Sequence, residues 1–208
     1  MGKEVFMRKL GMALGALIIT GAATATTVGV STHPFEIQKQ VITTEFTSYN
    51  TNGAGAGIEA RYFNRFNENV NFDAGFGITD GERENRVFAG ADFQIIPDYG
   101  RQPRISVKAL LESARISNDR VNSFGVAPII SKGFAFWGRE AFPFLALPVT
   151  VGLNTDENTY ETSTALAAGI TGRLNIAGME NLVGNIETNF SLRNSYSSVV
   201  FGVSLPLQ

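Results

Sequence analysis

Cysteine is absent from all 208 residues. Its absence excludes a disulfide framework, a cysteine-rich zinc site and a lipid-anchoring N-terminal cysteine. Histidine is nearly absent as well: the single residue, His33, stands beside Pro34 ahead of the first strand-like segment. The body of the chain therefore lacks the imidazole on which a Ser-His or Asp-His mechanism depends, and the chain reads as a non-enzyme. Charge is sparse, at 17 % against a usual share of about 25 %, and the net charge is −2. Nucleic-acid binding needs a clustered basic face, which that balance argues against. Beyond the N-terminal region no apolar run is long enough for a membrane-spanning helix. Any further insertion into a bilayer would have to be as a closed barrel.

What is present begins with a basic start and a short apolar middle. Lys3, Arg8 and Lys9 precede the uncharged run Leu10 to Ala23, and Ala23-Thr24-Ala25 follows as a small-x-small exit. This is the pattern of a secretory signal peptide over residues 1–25. A retained membrane anchor is the alternative, since apolar and small residues continue to Val30. Residues 26–36 then read as an N-terminal tail, and residues 37–208 as one β domain. Its clearest stretch is Val70 to Thr79. Val70, Phe72, Ala74, Phe76 and Ile78 share one face of an extended strand; Asn71, Asp73, Gly75, Gly77 and Thr79 share the other.

Nine further stretches read as strands: Ile37–Tyr49, rich in β-branched residues but with blurred alternation, then Ala54–Phe66, Val87–Ile95, Ile105–Glu112, Phe124–Ser131, Phe144–Asn154, Thr162–Ile176 (helix-like at its Ala-rich middle but β-branched and even-spaced), Leu182–Arg193 and Val199–Leu207. Polar or Gly-rich turns separate them, among them Asn52-Gly53, Asp80–Asn85, Ser117–Arg120 and Thr155–Glu161. The reading is all-β: an antiparallel up-and-down meander of about ten strands. Strands of about nine to thirteen residues fit a tilted bilayer crossing, whereas soluble strands run nearer five or six. Pro128, Pro143 and Pro148 fall in or beside two adjacent strands, and Pro148 is expected to mark a bulge.

A signal peptide, long amphipathic strands, no cysteine and an alternating apolar last strand together resemble the small Gram-negative outer-membrane β-barrel proteins of the OmpA/OmpX-type superfamily, broadly defined. The resemblance covers about residues 37–207 and rests on pattern. It implies insertion by the barrel assembly machinery, which reads the last strand, and contact with outer-membrane lipid and lipopolysaccharide. In that family the last strand typically ends in Phe; here Gln208 holds the place. The expected porin-like transmembrane barrel is a monomer in the cell envelope, with its apolar face in lipid and its polar face lining the lumen.

On that orientation the lumen holds a polar network of Glu59, Arg61, Asp73, Asp92, Lys108, Glu112, Arg173, Glu187 and Arg193. Near-balance of charge suggests mutual ion pairing, because an unpaired charge in a narrow lumen is costly. Tyr62, Phe66, Phe134, Phe136, Trp137 and Phe142 are expected in an aromatic girdle at one rim. Tyr49, Tyr160 and Tyr196 are expected at the other. The acidic loops lack EF-hand spacing, and no cofactor or metal site is read from them. Three functions remain on this pattern: a barrel with a plugged or very narrow lumen and a structural or surface-interaction role, a narrow diffusion channel for small solutes, or a soluble periplasmic barrel holding an apolar ligand with the two faces reversed.

Overall fold

The computed structural model describes residues 27–208 except 51–54, 82, 117–118, 137, 157, 180 and 208, and describes only the backbone of Phe136. The signal peptide, Trp137, the Asn52-Gly53 turn and Gln208 lie outside the described residues. Within them the chain forms β1 (Gln40–Tyr49), β2 (Ala56–Arg65), β3 (Val70–Thr79), β4 (Arg83–Ile96), β5 (Arg104–Ile116), β6 (Asp119–Ser131), β7 (Phe134–Phe136), β8 (Arg139–Ala146), β9 (Val149–Asn154), β10 (Thr159–Arg173), β11 (Val183–Arg193) and β12 (Ser198–Pro206).

Sequential strands pair antiparallel, and β12 returns to β1 from Val41 opposite Pro206 to Tyr49 opposite Ser198. The ring of strands therefore closes on itself, with no open edge between β12 and β1. β8 and β9 are successive halves of one stave, since each lies between β6 and β10. β7 is a short hairpin partner of β8 below that stave. The result is a closed antiparallel barrel of ten staves, the number the alternation predicts. The rim where β1 starts and β12 ends is called the near rim, and the opposite one the far rim.

Side-chain sidedness follows the period of two. On β3 the polar residues Asn71 and Asp73 are buried, while Phe72, Phe76 and Ile78 are 45 %, 60 % and 64 % exposed. The same holds around the ring: Phe46, Ile58, Val87, Leu111, Phe124, Leu145, Ile186 and Phe201 all stand on the outside. Each such side chain left in water forgoes about 1.5–3 kcal/mol of burial. In hydrocarbon the whole belt is satisfied. A ten-residue strand at about 3.3 Å per residue and a tilt of about 40° spans roughly 25 Å, the height of an apolar band.

Pro148 and Pro128 sit where the ladder is already interrupted, whereas Pro143 lies within β8 opposite Ile170. The Pro148 carbonyl accepts the Ala165 amide at 3.1 Å, so its missing donor faces β10, where the β10–β11 register shifts at Thr164/Ala165. The Pro128 carbonyl accepts from Leu147 at 3.1 Å, which turns its missing donor toward the Leu147-Pro148 break between β8 and β9. The two gaps thus share one irregular patch of wall.

Residues 27–36 do not trail outside the barrel. Thr27 to His33 are buried, as is Phe35, and Gly29–Thr32 form a single 3₁₀ turn (η1). The chain enters at the near rim, where Phe35 packs with Val30, Val41, Phe63 and Val183. It then climbs, in the N-terminal direction, to Thr27 at the level of Glu45 and Arg61. An eight-stranded barrel has an interior just filled by its own side chains. Ten staves leave room for a segment of main chain as well.

Candidate functional site

The lumen is the candidate site, and its contents come from the inward positions of five neighbouring staves plus the entering segment. Three layers of charge stack along it. Nearest the near rim, Arg104 pairs with Asp92 at 2.5 Å and donates to the Ser31 carbonyl at 3.0 Å. At mid-height, Arg61 bridges Glu45, at 3.0 Å, and Asp73, while Lys108 reaches Asp73 at 2.8 Å. Toward the far rim, Glu112 takes both Arg83 and Arg86 (the latter at 3.0 Å), and Arg86 also pairs with Glu59.

These charges are enclosed: Arg61 is 1 % exposed and Asp92 is fully buried. Charges so far from water persist only when paired and hydrogen-bonded, and the layers provide that pairing. Arg61 and Arg86 also lie over the face of Phe88, at 4.4 and 4.9 Å from its centroid. Gly90 is one position where the backbone must stay bare: a Cβ there would stand 2.7 Å from both Asp73 Oδ1 and Lys108 Cε.

The entering segment is tied to this scaffold by main-chain groups as much as by side chains. Glu187, fully buried on β11, accepts the amides of Val28 and Gly29 at 3.0 and 2.8 Å through one oxygen. Its other oxygen accepts from Asn189 at 3.1 Å. Thr27 donates its hydroxyl to Glu45 at 3.1 Å and accepts from Arg61. Thr32 meets Thr171 at 3.2 Å. Gly29 is the second position that must stay bare, since a Cβ would meet Asn185 Oδ1 at 2.4 Å and the Phe144 ring at 2.8 Å.

At the near mouth, His33 is wedged edge-on between Phe35 and Phe142, with centroids at 4.7 and 5.3 Å. Burial, with the positive charge of Arg173 as a smaller cause, lowers its pKa from 6.5 to about 4, so the imidazole is neutral. A cavity of about 190 Å³ opens there between His33, Arg65, Asn71 and Arg104. The far end is roofed by Tyr49 and Tyr196, whose rings meet at 5.6 Å.

No family model matches the chain, and no curated protein matches its sequence. Among solved structures, a de novo designed transmembrane β-barrel is 14 % identical, with a TM-score of 0.42 over 83 % of this chain and 98 % of that one. The attachment invasion locus protein Ail of Yersinia pestis is 10 % identical, with a TM-score of 0.28 over 82 % of this chain and 98 % of its own. The same protein in complex with the heparin analogue sucrose octasulfate is 11 % identical, with a TM-score of 0.30 over the same shares.

The barrel's own sidedness, apolar outside and charged within, is that of a small outer-membrane β-barrel. It is the opposite of a soluble barrel holding an apolar ligand.

Of the nine polar residues expected in the lumen, the structure brings together Glu59, Arg61, Asp73, Asp92, Lys108, Glu112 and Glu187. Arg173 and Arg193 are exposed instead, because each is the last residue of its strand and has passed the mouth into solvent. The alternation missed Glu45, set among threonines on both faces, and Arg83, Arg86 and Arg104, which fall in or beside stretches that read as loops.

Among the aromatics, Tyr62, Phe66 and Phe134 stand outward and exposed toward the near rim, and Tyr160 is 78 % exposed at the far one. Tyr49, Tyr196 and Phe142 belong inside. Tyr49 shares the inward face of Glu45 and Thr47, and Phe142 that of Phe144. Tyr196 folds over the lumen from its loop onto Tyr49.

Proposed function

We propose that this chain is an integral outer-membrane barrel with a closed lumen, serving a structural or surface-interaction role. The observation that carries the reading is the anchoring of Thr27 to Phe35 inside the barrel by Glu187, Arg61, Arg104 and Lys108. A solute crossing the lumen would have to displace main chain that is hydrogen-bonded to buried charges, and beyond it pass one further layer of ion pairs, that of Glu59, Arg83, Arg86 and Glu112. Polar constrictions select solutes when they are open and solvated. Here the buried carboxylates and cations are paired with one another across the lumen.

With both termini toward the periplasm, the far rim and its loops face outward, against lipopolysaccharide. Insertion then runs through the barrel assembly machinery reading β12. The test is planar-bilayer recording of the purified protein. The expected trace is flat at 100 mV in concentrated KCl, and steady unitary openings would replace this reading with that of a diffusion channel.

A further inference from the structure

The cavity at the near mouth is lined by two residues with buried polar atoms that bond to nothing among the described residues. The atoms are Nδ1 of His33, a residue 6 % exposed, and Oδ1 of Asn71, a residue 7 % exposed. The Asn71 amide turns its nitrogen toward Asp92 Oδ2, at 3.5 Å, so its oxygen is the group left over for the cavity. Buried polar atoms are almost always hydrogen-bonded, and two exceptions on one cavity mark it as a place built for an occupant. At about 190 Å³ the space matches that of roughly six waters, which is room for a small solute.

The lining says which kind. Asn71 Oδ1 can only accept, so the occupant brings an N–H or an O–H. The neutral His33 imidazole has one accepting and one donating nitrogen. Its Nδ1 therefore serves an incoming donor in one tautomer and an incoming acceptor in the other. The charged residues of the lining balance, Arg65 and Arg104 against Glu68 and Asp98, but they are not equally satisfied. Asp98 is already taken by Lys132 and the Gly133 amide. Arg65 donates to the carbonyls of Phe35 and Glu68, at 2.6 and 3.3 Å, and meets more repulsion from Arg104 than attraction from Glu68. A guanidinium carries more N–H donors than those two bonds use, and a carboxylate set between Arg65 and Arg104 would relieve the repulsion.

Elimination narrows the choice. An anion alone leaves Asn71 Oδ1 without a donor. A cation alone adds a further positive charge beside two guanidiniums. A neutral polyol serves Asn71 but leaves the guanidiniums opposed. A molecule with both an ammonium and a carboxylate answers all of these demands and adds no net charge to a balanced lining.

We propose that the near-mouth cavity binds a small zwitterion of the α-amino-acid class, with its ammonium on Asn71 Oδ1, its carboxylate between Arg65 and Arg104, and its side chain against the Phe142 ring. With both termini toward the periplasm, as proposed above, the solute enters from the periplasmic side. The inference rests on the cavity and not on whether the lumen conducts, so a conductance recording leaves it standing either way.

His33 is the only histidine in the chain, so labelling histidine with nitrogen-15 gives a single imidazole to watch. The experiment titrates the untagged barrel, extracted from the outer-membrane fraction into micelles, with four probes: L-alanine, propionate, ethylammonium and glycerol. L-Alanine should move the His33 Nδ1 resonance saturably. Propionate, ethylammonium and glycerol should each bind about tenfold or more weakly, the loss expected when a charge-assisted hydrogen bond is missing.

Propionate acting as well as L-alanine would make this an anion site, and glycerol doing so would make it a polyol site. Ethylammonium doing so would leave the guanidiniums without a part. A resonance that none of the four moves would mean that the cavity holds water only. Each of these results overturns the proposal, and none of them needs a variant to fold. Asn71→Leu keeps the size of the side chain and removes the acceptor. Where that variant folds, it should weaken L-alanine about tenfold while leaving propionate unchanged, and undiminished binding of L-alanine there also counts against the assignment.

Discussion

Arg61 holds more of the lumen together than any other single side chain described. It bonds Glu45 through two nitrogens at 3.0 and 3.1 Å, pairs with Asp73, and reaches the hydroxyl of Thr27. Replacing it leaves two carboxylates buried with less than their due of positive charge, and breaking a buried pair in this way costs about 3–5 kcal/mol. Arg61→Leu should therefore lower the unfolding free energy in lipid vesicles by about that much. Thr43→Val, which removes one hydrogen bond to Ser204 (2.8 Å), should cost only about 1 kcal/mol. Urea titration read by the heat-modifiable gel shift distinguishes the two, and equal losses would mean that the charge layer is solvated. His33, outside the membrane-spanning strands, gives a second prediction at this scale. With its folded pKa lowered to about 4 and its unfolded one at 6.5, the unfolded chain binds more protons between those values, so stability rises with pH across that window. The contribution is complete above 6.5, is lost progressively as pH falls, and is gone below about 4, a swing on the order of 3 kcal/mol. His33→Gln should remove the slope between pH 4 and 6.5 while leaving the carboxylate-driven loss at lower pH. An unchanged slope would show that the imidazole is hydrated.

Elements differ in how far the sequence discloses them. β3 is readable because each of its outward residues is apolar or small and each inward one polar or glycine, so one period decides both strand and face. β4 is readable only from Val87 on: Arg83 and Arg86 lie in a run, DGEREN followed by Arg86, that looks like a surface loop, although both arginines point inward and pair with Glu112. The entering segment is not readable at all. It has no period, and what fixes it is the reception of its own amides by Glu187 and of its carbonyls by Arg104 and Lys108. Such contacts belong to the backbone and leave no side-chain signature in the segment. The signal that could have found it lies elsewhere, in Glu187, an inward carboxylate far from the arginines. Because no wall strand pairs with this segment, its removal is a clean experiment. Deleting Thr27 to Phe35 should leave the ten staves and the gel shift intact but open the lumen, giving ion conductance where the full chain gives none. It should also lower stability, since Val30 and Phe35 leave Val41, Phe63 and Val183 uncovered at the near mouth. A silent bilayer after the deletion would mean that side chains alone seal the barrel.

For the molecule as a whole, everything turns on which medium meets the outer face. Ten staves carry an apolar belt that a soluble protein could not display: Phe72, Phe76, Phe93, Leu145 and Phe201 are all about half exposed, and no element among the described residues covers them. At the same time the interior holds, among the described residues, five buried cations that hydrocarbon would expel. A barrel can satisfy both demands only in a bilayer, with its charges neutralised by one another and its main-chain donors closed into a ring. This leads to a test by depth. In a Trp137→Phe background, Phe76→Trp places an indole on the outer face of β3, and Phe88→Trp places one inside, above Gly75 and beside Arg61. In vesicles whose acyl chains carry bromine, fluorescence from position 76 should be quenched strongly and that from position 88 hardly at all. Quenching needs near-contact between bromine and ring, so it reports the face and not merely the depth. In a soluble particle with reversed faces neither indole would meet an acyl chain, and the fluorescence from position 76 would go unquenched. A dry outer belt and a charged, segment-filled interior are therefore one physical statement, and these two indoles read both halves of it.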